Sequence, residues 1–168
     1  MNLKLFLTIF FAFTLSHSAQ DRKVEMVLDF GDIPCSYFIN LVPVALNKFN
    51  ETPDAKMYLI YYEGKHYASF IWNKKLHRRE PKLTNPRRGN ATNRAKEVGL
   101  FLKEYEFLQN NLILTDGGFR EKLALEFWIV PNGVEPPKPT PTVDKKDVKF
   151  RKGKPFKTRE CARIYDGL

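Results

Sequence analysis

The sequence predicts an α/β (α+β) two-layer sandwich, a mixed sheet with two helices in the order β-α-β-α-β-β. Three observations predict it. Strand-like apolar runs alternate with two stretches whose apolar residues recur at helical spacing. The helical stretches lie between strands, which calls for crossover connections and helices packed on a face of the sheet. Regular patterning then stops at Val130, and five prolines follow between Pro131 and Pro141.

The first strand is Val24–Phe30. Val24, Met26, Leu28 and Phe30 alternate with Glu25, Val27 and Asp29, the mark of a half-buried strand. Gly31 ends it. Asp32 is placed to cap a helix, with Pro34 tolerated in the first turn. Phe38, Leu41, Val42, Ala45, Leu46 and Phe49 form the apolar stripe of that helix. Pro43 lies inside the stripe and predicts a kink in a single helix. Lys56–Glu63 is apolar on both faces and reads as a central strand, ended by Gly64. His66–Trp72 reads as an edge strand. Asn73–Gly89 shows no periodicity and reads as a long loop, a kind of segment that is usually functional or disordered.

Asn90 is placed to cap the second helix, whose face is Ala95, Val98, Phe101, Leu102, Tyr105 and Leu108. Asn111–Thr115 is a short strand. Asp116-Gly117-Gly118 then lies between strands and not before a helix. It therefore reads as a turn needing positive φ, not as a phosphate cradle. The last strand is Leu123–Val130, with Leu123, Leu125, Phe127 and Ile129 facing inward.

The chain has 168 residues, enough for one domain with extensions. Leu5–Leu15 is an uncharged apolar run behind Lys4, followed by the small residues of Ser16–Ala19. A bilayer span needs about 20 apolar residues, so 1–19 reads as a secretory signal peptide cut after Ser18 or Ala19. The expected location is extracytoplasmic, periplasmic or secreted. The expected organisation is an α/β domain over 20–130, a proline-rich linker over 131–143 and a basic tail over 144–168. The linker is expected to be extended and polyproline-like. The two cysteines, Cys35 and Cys161, have one intramolecular pairing open to them in an oxidising compartment. That bridge would be worth about 5 kcal/mol in the chain-entropy account. Two free thiols are the alternative.

The formal charge is +9 and is unevenly spread. Lys138–Leu168 holds ten Lys or Arg against four Asp or Glu, and Asn73–Arg88 holds seven against Glu80 alone. Two basic segments on an otherwise slightly acidic body favour anionic partners. Envelope polymers lead, anionic lipid is the next candidate, and nucleic acid is disfavoured. The second segment follows Tyr58, Tyr61, Tyr62, Tyr67, Phe70 and Trp72, and aromatics beside cations suit a sugar polymer or another polyanion.

Catalytic chemistry is poorly supplied. The sequence has no nucleophile elbow, no phosphate-binding Walker loop and no His/Cys cluster at metal-ligand spacing. No catalytic residue, cofactor or metal set is nominated.

The second helix and the strands after it carry a resemblance. Arg94-Ala95-x-x-Val98-x-x-x-Leu102 is followed by a strand, a glycine-bearing loop with Glu121, and the closing strand "LALEFWIV". This resembles the C-terminal domain of outer-membrane protein A and the peptidoglycan-associated lipoproteins. The ending "EFWIVPNGVEPPKPTPTV" also looks like that of a group of secreted bacterial proteins. The resemblance implies that Arg94, at the family's arginine position, grips the diaminopimelate group of peptidoglycan together with a carboxylate after the second strand. The family's Gly-His-Thr-Asp run is absent. Tyr62-Glu63-Gly64-Lys65-His66 stands there, and Glu63 is the nearby acid. The expected ligand-binding set is therefore Arg94, Glu63, Lys74, Arg78, Arg79, Arg87 and Arg88. The expected function is a non-catalytic cell-envelope binding module. The alternatives are charge-driven attachment to anionic lipid or another polyanion, and a secreted enzyme of unrecognised type whose Glu63, His66 and Arg94 would converge in one pocket.

Overall fold

In the computed structural model the chain is described over residues 23–52, 54–104 and 111–155. The signal segment 1–19, Cys161 and the end of the basic tail lie outside the described residues, as do Tyr105 and Leu108. Cys35 opens the first helix, but its pairing with Cys161 therefore also lies outside them.

The elements are β1 (Glu25–Phe30), α1 (Cys35–Asn50), β2 (Lys56–Asn73), β3 (Arg78–Thr84), α2 (Asn90–Glu104), β4 (Leu112–Lys122) and β5 (Ala124–Val130), followed by one 3-10 turn at Lys145–Asp147. The fold is α+β with two helices and a mixed sheet, as the sequence predicts. The order carries one strand more. The sheet runs β1-β5-β2, with β4 also on β2 and β3 on the far half of β2. Only the β2–β4 pairing is parallel among these strands; β1–β5, β5–β2 and β2–β3 are antiparallel.

The core lies between the helices and one sheet face. Met57, Leu59, Leu125 and Phe127 share that face by register. They pack with Phe38, Val42 and Ala45 of α1 and with Ala95, Val98, Phe101 and Leu102 of α2. Phe38, Val42, Ala45, Ala95, Val98, Phe101, Leu102 and the inward set of the last strand are buried where the sequence places them, while Leu41, Leu46 and Phe49 are half-buried. Each such side chain contributes about 1.5–3 kcal/mol by leaving water.

Three boundaries differ from expectation, each for a tertiary reason. Gly64 does not end β2. A Cβ there would lie 2.5 Å from the Leu123 amide nitrogen, so glycine permits the β4–β5 corner to approach the middle of a continuous strand. Gly117-Gly118 is not the turn between the last two strands. It lies within β4, where the register against β2 slips between Tyr61 and Glu63. One extra residue on β4 makes this a bulge, with Gly118 at φ 84°. Asn73–Gly89 is not one loop. Its middle is β3, which pairs from Asn73↔Arg78 to Tyr67↔Thr84.

The second sheet face is also covered. Ile60 and Tyr62, which point away from the helices, are 0% exposed. The stretch expected as a linker and Arg120 both lie against Tyr62. That stretch is extended, as expected, but it runs back over the sheet as a strap. Thr142 and Val143 donate their amides to the Phe119 carbonyl at 2.9 and 3.1 Å. The Arg151 amide then bonds the Pro86 carbonyl at 2.9 Å. The segment is thus tied to the body at Thr140–Val143 and again at Arg151 and Lys154.

Candidate functional site

Two buried polar clusters lie on opposite faces of β2, and a cleft opens beside one of them. Glu63 projects from β2 toward the start of α2. Its carboxylate accepts the Tyr67 hydroxyl at 2.5 Å and the Ala91 amide at 3.3 Å. The first amides of a helix have no partner within the helix, and its N-terminus favours negative charge. Glu63 supplies both needs from a different element. Asn90, expected as the cap, is instead the first helical residue. The Asn93 amide bonds the Gly89 carbonyl at 2.9 Å. Burial raises the pKa of Glu63 above the ordinary carboxylate value of 4.5, against the lowering effect of its hydrogen bonds. Tyr67 is raised as well, by burial and then by the charge of Glu63.

Arg94 lies one turn into α2. Its guanidinium donates to Asp32 and to Glu97, with its side chain 11% exposed. Asp32 therefore pairs with α2 and does not cap α1. The α1 cap residue is Pro34, whose carbonyl accepts the Tyr37 and Phe38 amides. Burial works to lower the pKa of Arg94. The hydrogen bond to Asp32 and the charges of Glu97 and Asp32 outweigh it, and the net shift is upward. Arg94 is a structural cation joining α2 to the β1–α1 connection.

The cleft lies at the N-terminal end of α2 and holds about 180 Å³. Its lining brings two acids, Glu63 and Asp116, together with two cations, Arg88 and Lys145. Phe119 and Phe150 form its apolar wall, joined by an edge contact at 6.1 Å. Arg88 lies over the Phe150 ring, 4.8 Å from its centroid.

The predicted site residues are thus divided. Glu63 and Arg88 reach the cleft. Arg94 is absent from its lining. Lys74, Arg78 and Arg79 stand on the β2–β3 hairpin, and Arg87 donates to the Lys154 carbonyl at 3.1 Å. Glu63, His66 and Arg94 do not converge. His66 lines a different hollow, of about 390 Å³, with Asp32, Leu83 and Glu121. Among the described residues no group of three His, Cys, Asp or Glu is placed to hold a metal ion.

Sequence reasoning missed Asp116, Lys145 and Phe150. Asp116 stands in view beside the glycine pair, but in sequence it reads as part of a turn. Lys145 and Phe150 lie more than fifty residues beyond α2's first turn in sequence, and only the strap brings them back. The second cluster was missed too. On the strap side, Glu126 accepts from Arg120 at 2.6 Å, from the Tyr62 hydroxyl at 3.1 Å and from the Trp128 indole at 3.1 Å. Arg120 also lies 3.5 Å over the Tyr62 ring and bonds the Thr140 hydroxyl at 2.7 Å. The Thr140 amide returns a bond to the Tyr62 oxygen at 3.2 Å. This cluster clasps the strap to the sheet.

Searches against known proteins return no matching family model, no matching curated protein and no matching solved structure.

Proposed function

We propose that the chain is an extracytoplasmic, non-catalytic binding module for a cell-envelope polymer, of the peptidoglycan-associated kind, and that its ligand seat is the cleft at the start of α2. One observation carries this reading. Both signs of charge, Glu63 and Asp116 with Arg88 and Lys145, line a single small cleft beside an aromatic wall. An amine and a carboxylate on neighbouring atoms are complementary to such a pairing. Peptide stems of cell-wall polymers carry both.

Relative to the expectation from sequence, Arg88 takes the place given to Arg94. The guanidinium of Arg94 is spent on Asp32 and Glu97, whereas Arg88 is on the cleft wall. Sedimentation with purified peptidoglycan tests the reading. Arg88→Ala and Asp116→Ala are expected to leave the protein in the supernatant while melting like the wild type. Wild-type protein that stays in solution would sink the proposal, as would unchanged sedimentation of both variants.

A further inference from the structure

β2 outruns its neighbours in the sheet. β5 pairs with it as far as Tyr62 and β4 as far as His66, and from Tyr67 onward the described partner is β3. The result is a two-stranded ribbon closed at Lys74–His77. The tip is ordered. The Asn73 side-chain oxygen accepts the amides of Lys75 and Leu76 at 3.0 and 3.2 Å, and His77 takes φ 48°.

The ribbon has two unlike faces. Residues paired across an antiparallel ladder share a face. Ala68↔Leu83 and Trp72↔Arg79 therefore lie on one side, and Asn73↔Arg78 on the other. On the first, Trp72 is 58% exposed and Leu83 67%, and Leu76 at the tip is 54% exposed. Five cations, Lys74, Lys75, Arg78, Arg79 and Lys82, face one acid. That acid, Glu80, is already held by Arg78 at 3.2 Å and by Asn73 at 2.8 Å.

We propose that this ribbon is a membrane-surface anchor, and that its partner is the headgroup boundary of a bilayer rich in anionic phospholipid. An exposed indole on a ribbon that also exposes Leu76 and Leu83 and carries five cations suits that boundary, where the ring sits among headgroups and the charges meet lipid phosphates. A partner strand is disfavoured at β3, because Pro81 lacks an amide donor and cations line the edge. The anchor uses none of the cleft residues and does not depend on the cleft's ligand.

Flotation of the purified protein with vesicles tests it, using phosphatidylcholine alone and an equal mixture with phosphatidylglycerol. The protein is expected to float with the mixed vesicles and to stay behind with the neutral ones. Lys74→Ala with Lys75→Ala is expected to weaken binding about 25-fold, at about fivefold per cation. Trp72→Ala should weaken it about tenfold. In a Trp128→Phe background, tryptophan emission should shift to the blue on adding mixed vesicles. Peptidoglycan sedimentation should be unchanged by these substitutions, so that failure here is distinct from failure at the cleft. Equal flotation with both vesicle types, none with either, or variants that float like the wild type would overturn the proposal. So would capture by dextran sulfate with no flotation on the mixed vesicles.

Discussion

Glu63 and Glu126 are both buried, and they sit in β2 and the neighbouring β5 on opposite sides of one sheet. They are held in opposite ways. Glu126 faces a guanidinium at 2.6 Å, with two further donors, Tyr62 and Trp128. Glu63 is given a phenol and the amides at a helix start. Burial raises its pKa in spite of those donors. The difference separates a clasp from a poised acid. A buried carboxylate with a full counter-charge is committed to structure. One held by neutral donors at the rim of a cleft keeps a titration that a ligand's charge can move.

The comparison breaks most sharply at the clasp. Arg120→Ala leaves Glu126 buried without its cation and removes one of the two ties that hold Thr140. Denaturant melts should show a loss of about 3–5 kcal/mol, with new protease cleavage in the 131–143 strap. Arg94→Ala should cost about 3 kcal/mol for the same reason at Asp32 and Glu97. Its denaturation midpoint should fall before any loss of peptidoglycan binding appears. Glu63→Ala should cost about 2 kcal/mol, since the Tyr67 hydroxyl and the Ala91 amide lose their acceptor. Gly117→Ala should cost about 1–3 kcal/mol, because its Cβ would stand 2.4 Å from the Tyr62 ring.

The smallest effect is the most specific. Glu63→Gln removes the titration; its one amide oxygen can accept the Ala91 amide, and its NH2 can donate to the Tyr67 oxygen. A raised folded pKa means that the native state holds a proton which the unfolded chain has released. The stability Glu63 adds is therefore full below pH 4.5 and is lost as pH rises through the folded value. Urea melts should show the wild type losing stability relative to Glu63→Gln as pH rises above 4.5. A parallel pH dependence in the two proteins would remove the distinction between the two acids.

The same contrast explains what could be read in the sequence. Both helices, the central strand and the inward set of β5 are legible, because burial on one face writes a period into the chain. Gly64 and Gly117 mislead because glycine at a chain end and glycine under a close neighbour look alike in sequence. The strand Arg78–Thr84 is illegible, since a ribbon with no core behind it carries no apolar alternation. The clasp joins residues up to 78 positions apart, and the prolines mask the threonine that matters. For Arg94 a signal is present. Glu97 lies three residues on, on the same helix face, which is an ion-pair spacing. That spacing points to an internal partner before any ligand.

The central claim is that the cleft at the start of α2 is the ligand seat. Backbone amide shifts measured by NMR during titration with soluble peptidoglycan fragments test it most directly. A ligand seated there should shift Arg88–Thr92 and Asp116–Phe119 most, with Lys145 and Phe150 moving in step. Shifts confined to the β2–β3 ribbon, or none at saturating fragment, would contradict it.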